Sequence, residues 1–174
     1  HEDDAALRLA AAVAGPGVAI GSPTQSRVDL DAKVDGVLRI RVEALAQLNR
    51  IDPLEVFTLF HGQAVRAKQV VASVKVAPHL VPAAIVEAGE AVARSHAPLI
   101  NVDAYLPLEV AAIAAEALEP SSLERFDRAA RTKVGSLGGR FLGTSSVADE
   151  DPESATRRLG ETLRALAFEQ RVAL

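Results

Sequence analysis

The sequence predicts an α/β protein (α+β over its full length). It has a β-rich N-terminal module in residues 1–105 and a truncated parallel-sheet α/β unit in residues 106–174. Three observations predict it. From Leu108 onward an apolar run (Leu108–Ala115), a helical pattern (Pro120–Leu137), a short strand (Arg140–Ser146), a second helix (Asp151–Glu169) and the start of a third strand (Arg171–Leu174) succeed one another. That succession is the grammar of a parallel sheet with right-handed crossovers, so the three strands are expected to be parallel neighbours. Upstream, short runs alternate apolar and polar residues between Gly- and Pro-bearing turns, as half-buried strands do. Between the two regions, Ser95–Pro107 gathers Pro, Ser and His into a junction.

Taken in order, Asp3–Val13 has the spacing of a short helix, with Ala6, Leu7, Ala10 and Ala11 on one face and acids at its start, where the helix dipole favours them. Gly15-Pro16-Gly17 ends it, and Val18–Ser22 follows. Arg27–Lys33 alternates Val28, Leu30 and Ala32 against Arg27, Asp29 and Asp31. Asp35-Gly36 is a hairpin signal leading into a second alternating run, Val37–Val42. Val42–Asn49 reads as a helix with Val42, Leu45 and Leu48 on one face. Glu55–His61 is rich in β-formers, with Val56, Thr58 and Phe60 opposing Phe57 and Leu59. His61-Gly62-Gln63 turns the chain and Ala64–Val65 adds a brief strand. Gln69–Ala77 is the cleanest strand, and it is expected to be central and buried on the side of Val70, Val74 and Val76. Pro82–Ala93 is a helix with Pro at its first turn, and Leu99–Tyr105 is extended.

Composition narrows the function classes. Apolar residues make up 49% of the 174 but aromatics only 3%, so the core must be built from Ala, Val and Leu, with few platforms for stacking bases. The net charge of −4, with acids and bases interspersed, argues against a nucleic-acid surface, which needs a concentrated basic stripe. No apolar run approaches the roughly 18 residues that span a bilayer, and the acidic start lacks the basic region of a signal peptide. No membrane partner is therefore expected. Cysteine is absent, which excludes disulfides and thiolate catalysis and makes the cytoplasm the default compartment. Methionine is absent too, so both termini are taken as artificial, and the chain is expected to stop inside its third strand.

Each candidate site has a plainer reading beside it. Gly138-Gly139 follows a helix instead of a strand, so a left-handed C-cap is favoured over a phosphate loop. Ser121 and Ser122 lie on the binding edge of a parallel sheet. They read as an N-cap, with Glu124 completing a capping box, or as anion ligands together with Arg125. Lys75 stands in an apolar strand, where a lysine normally extends from the exposed face; anion binding by Lys75 and the nearby His79 is the rival reading. Arg125, Arg128, Arg131 and Lys133 form a charged helix face, with i,i+4 pairs from Glu124 to Arg128 and from Asp127 to Arg131. The four histidines lie in separate turns without metal-ligand spacing, so no metal and no resident cofactor are expected. Catalytic residues, and whether the chain is an enzyme at all, stay open.

Four blocks carry a resemblance: Leu48–Asp52 with Val56–Phe60, then Val70–Pro82, then Leu106–Ile113. In this order they resemble a group of bacterial molybdopterin-binding-domain proteins, over roughly Gly15–Leu174. In that family a β-rich N-terminal region precedes the α/β domain of molybdenum-cofactor biosynthesis proteins. The resemblance implies that residues 106–174 are the first half of such a domain and that molybdopterin is a ligand. The family's Gly/Thr-rich loop, after the third strand, would lie beyond Leu174. Only the loop after the first strand carries over, onto Glu116–Ser122. There Glu116 and Glu119 stand where Thr or Ser and Asp are often found, and they would repel a phosphate. Residues 1–174 alone are therefore expected to bind molybdopterin weakly or not at all. A non-catalytic interaction or assembly module, whose β-rich half docks a protein partner or a second copy, is the alternative.

Overall fold

The structure is a computed structural model that describes residues 2–77 and 79–172, with side chains up to Ala167. The chain divides into two compact units, residues 1–105 and 106–174. Five helices and nine strands are present among the described residues, and the class is mixed α and β.

In the first unit, helix α1 (Glu2–Val13) is followed by strands β1 (Val18–Ile20), β2 (Arg27–Ala32) and β3 (Gly36–Ile40). Helix α2 (Val42–Leu48), strands β4 (Leu54–Thr58), β5 (Ala64–Val65) and β6 (Val70–Val76), helix α3 (Ala83–Ser95) and strand β7 (Ile100–Ala104) complete it. The strands form two antiparallel sheets, ordered β1-β2-β6-β4 and β5-β3-β7. Helix α1 packs Ala6, Leu9, Ala10 and Val13, all fully buried, against β2, β6 and α3. Arg8 ties α1 to α3 by donating to Glu90 through Nε (2.9 Å) and Nη2 (3.1 Å).

Strand β6 is interior to its sheet, as its alternation predicts. Val74 lies between Val28 and Val56 in register, and all three are buried. The predicted face fails at one end: Val70 is 43% exposed and Val71 is buried instead. The register shifts between Leu30, opposite Ala72, and Asp31, opposite Val70, so Val71 is the extra residue of a bulge and the side-chain alternation reverses there.

Three further expectations are corrected. Asp35-Gly36 does not join β2 to β3 as a hairpin; the chain changes sheets there, and β3 pairs with β5 and β7. Gly36 is the required residue because an added Cβ would collide with the Asp103 carbonyl on β7. In α2 the buried face is Ala44, Leu45 and Leu48, while Val42, in the first turn, is 52% exposed. The strand predicted to reach His61 ends at Thr58, leaving Phe60 in a turn and 85% exposed.

The second unit comprises β8 (Glu109–Ala114), α4 (Pro120–Ser136), β9 (Arg140–Ser146) and α5 (Pro152–Val172). Strands β8 and β9 are parallel neighbours, paired from Glu109 opposite Arg140 to Ala114 opposite Ser146. The parallel sheet has these two strands. The expected third strand is not formed: Arg171 and Val172 continue α5, and Ala173 and Leu174 lie outside the described residues. The reason is local. From Pro152 to Val172 the chain is rich in Glu, Arg, Leu and Ala and has no proline after Pro152, so nothing stops the helix at Glu169.

Helix α4 ends as its glycines predict. Gly138 has φ +74°, its N–H donates to the Gly135 carbonyl (3.0 Å) and that of Gly139 donates to Val134 (3.0 Å). These two bonds form a Schellman cap, which fills the role that a phosphate loop would otherwise claim.

Candidate functional site

Parallel sheets expose backbone and side chains for binding at the carboxyl ends of their strands. At that end of β8 lies a cavity of about 330 Å³, lined by Ala112, Ile113, Ala114, Ala115, Glu116, Leu118, Phe126 and Thr144. The walls are mostly apolar, small on the strand side and aromatic on the helix side. A mostly apolar cavity of this volume can take an organic ring, and its lining holds no basic side chain to attract a phosphate.

Each lining group is placed by a separate element. Ala112 and Ala114 come from β8 and Ala115 directly follows it, and their small side chains leave room beside the sheet. Phe126 is the second-turn residue of α4 that faces the slot. Thr144 is set by β9, opposite Ala112. The register shift between Val110 and Ala111 skips Leu142, and Gly143 (φ +113°) accommodates it, which sets the pairing of Thr144. The Thr144 hydroxyl donates to Asp127 Oδ1 at 2.6 Å and thereby binds β9 to α4 beside the cavity. Arg131 lies 5.9 Å from the centre of the Phe141 ring, a second tie between the same two elements.

The sequence-predicted residues fall in different places. Ser121 and Ser122 do not cap α4: the helix begins at Pro120, its N-cap is Glu119, and no side chain caps it. Proline at the first helical position moves the start one residue ahead of the serines. Ser122 Oγ instead accepts a bond from Arg125 Nη2 (3.2 Å), so the structure brings those two together, outside the cavity lining. The Glu124–Arg128 pair is formed at 2.9 Å. In the other unit, Lys75 is exposed in a row with Arg27 and Glu55, its direct neighbours on β2 and β4. His79, 94% exposed, meets Glu2 through Nδ1 at 3.1 Å. Sequence reasoning reached the part of the lining that lies in the Leu108–Ala115 run and the Glu116–Ser122 loop, and gave a role to Glu116 alone among the lining residues. Phe126 and Thr144 depend on helix rotation and strand register, which leave no motif.

No group of three or more His, Asp or Glu residues gathers as metal ligands among the described residues, and no described helix is long and apolar enough to cross a membrane. No protein-family model, curated protein or solved structure matches the chain.

Proposed function

We propose that this chain is a molybdopterin-binding-like protein linked to molybdenum-cofactor biosynthesis or handling, and that the cavity at the end of β8 receives the pterin ring. One observation carries the reading: a parallel strand–helix–strand unit has a mostly apolar cavity of about 330 Å³ at the carboxyl end of its first strand. The family resemblance of the sequence supplies the ligand. Glu116 then has a definite role. An acid beside a phosphate is repulsive, but a carboxylate beside the amino-pyrimidinone edge of a pterin accepts N–H bonds. The ring therefore enters and the phosphate points away.

With one strand-end loop on the ligand, affinity is expected to be weak, with Kd on the order of 0.1 mM, because most of the immobilisation cost goes uncompensated. Fluorescence titration with molybdopterin of the parent and of Glu116→Gln tests it. Ring-inward binding predicts that Glu116→Gln weakens affinity about tenfold, the effect of losing a charge-assisted acceptor. Tighter binding by the variant would show the phosphate inside and refute the ring-inward reading.

The alternative, a docking module, has its own support in the first unit. Strand β4 ends its sheet, with the Val56 N–H and carbonyl bonded to the Asn49 side chain, and Phe57 on it and Phe60 just past its end are exposed. Self-association through these two aromatic side chains predicts a mass that rises with concentration in sedimentation and falls to the monomer in Phe60→Ser.

A further inference from the structure

We propose that the first unit carries an oxyanion site, independent of the cavity at β8, in the hollow between the carboxyl end of β3 and the start of β7. The hollow, about 420 Å³, is lined by Arg39, Ile40, Arg41, His61, Pro98, Asn101 and Asp103. Its hydrogen-bonding groups are held by backbone pairing. Arg39 stands opposite Asn101 in the β3–β7 ladder, and the Arg41 N–H donates to the Leu99 carbonyl at 2.9 Å. The turn carrying His61 is tied to β3 by Gly62 N–H to Leu38 O (2.8 Å) and Leu38 N–H to Gln63 O (2.9 Å).

The balance of donors and acceptors identifies the ligand class. Asp103 is already satisfied, accepting from Arg39 Nε on one oxygen (2.9 Å) and from Asn101 Nδ2 on the other (2.7 Å). That carboxylate offsets Arg39. Arg41 lines the hollow, and its guanidinium makes no hydrogen bond or ion pair among the described residues, so its positive charge is available to a ligand there. His61 Nδ1 accepts the Ile40 N–H at 3.0 Å, which leaves the proton of the neutral ring on Nε2 as a further donor. Arg39 Nη, Arg41 and His61 Nε2–H are thus donors without a protein acceptor, in a chain whose net charge is −4. A planar guanidinium with unused N–H groups matches the paired oxygens of a phosphate monoester or a carboxylate. The remaining volume accommodates the organic part of a small metabolite.

Amide NMR titration of the whole chain with inorganic phosphate, with acetate, and with chloride as the ionic-strength control tests the site. The site predicts saturable shifts at Ile40, Arg41, His61 and Asn101, absent with chloride. The anion that saturates at the lower concentration identifies the ligand as phosphate-bearing or carboxylate-bearing. Arg41→Gln is expected to weaken binding about tenfold or more, as loss of a charge-assisted bond does. His61→Asn keeps an acceptor for the Ile40 N–H and removes the outward donor. It should weaken binding severalfold with the melting temperature unchanged. Shifts that chloride reproduces, or equal affinity in Arg41→Gln, would overturn the proposal. Because the site lies wholly in residues 39–103, its failure leaves the pterin reading of the β8 cavity untouched.

Discussion

Two residues show how local chemistry sets stability. Val74 is fully buried between Val28 and Val56, so Val74→Asp would place a carboxylate where no partner exists. Such a change is expected to cost about 3 kcal/mol or more, and denaturant unfolding checks it; a loss under 1 kcal/mol would make the strand peripheral. Glu90 responds to pH. The Arg8 fork donates to its carboxylate and holds its pKa below the ordinary value. A carboxyl group with a lowered folded pKa contributes stability that is complete above the unfolded value, about 4.3, and is lost as pH falls through the folded value. Parent and Glu90→Gln should therefore differ in urea midpoint at pH 7 and converge in acid below pH 4. A gap independent of pH would assign the effect to packing.

At the scale of elements, α4 and α5 start differently, and the difference is testable. Asp151 accepts from the Ser154 N–H (3.0 Å) and the Glu153 N–H (3.4 Å) at the head of α5, and the bonds with Ser154 are the main reason its pKa is lowered. The serines of α4 make no such bond. Asp151→Ala should fray the first turn of α5, seen as faster amide exchange at Glu153 and Ser154, whereas Ser121→Ala should leave α4 unchanged. At the other end of α4, Gly138→Ala forces a Cβ into the left-handed region and should cost about 1 kcal/mol. The same contrasts show what was legible in the sequence. Alternation along Gln69–Ala77 revealed β6, since period-2 burial is a local property. The bulge at Val71 was not legible, because it depends on β2, some 40 residues away. The sequence Arg171–Leu174 reads as a strand from its apolar, β-branched content, but no stop signal follows Glu169 and α5 runs on through Arg171 and Val172. At the candidate site, the strand-end rule located the loop after β8. It could not reveal Phe126 or Thr144, which owe their position to a helix turn and a register shift.

For the molecule as a whole, burial is unevenly shared. The large fully buried side chains, Leu9, Leu30, Leu38, Leu48, Leu54, Leu99 and Ile100 among them, all belong to residues 1–105. In the second unit Phe141 and Val147 are buried among the described residues, while Leu108, Phe126 and Leu163 are roughly half exposed or more. Stability follows buried apolar area. Amides of β6 should accordingly exchange through the slowest openings and those of β8 and β9 through faster ones; the reverse order would contradict the burial pattern. The proposed pterin cavity thus lies in the unit with fewer large buried side chains, where a bound ligand would add proportionately more order. Mapping molybdopterin by amide NMR on the whole chain tests the central claim most directly. Binding in the slot predicts the largest shifts at Ala114, Ala115, Glu116 and Thr144, whereas shifts confined to residues 1–105, or none at millimolar ligand, would contradict it.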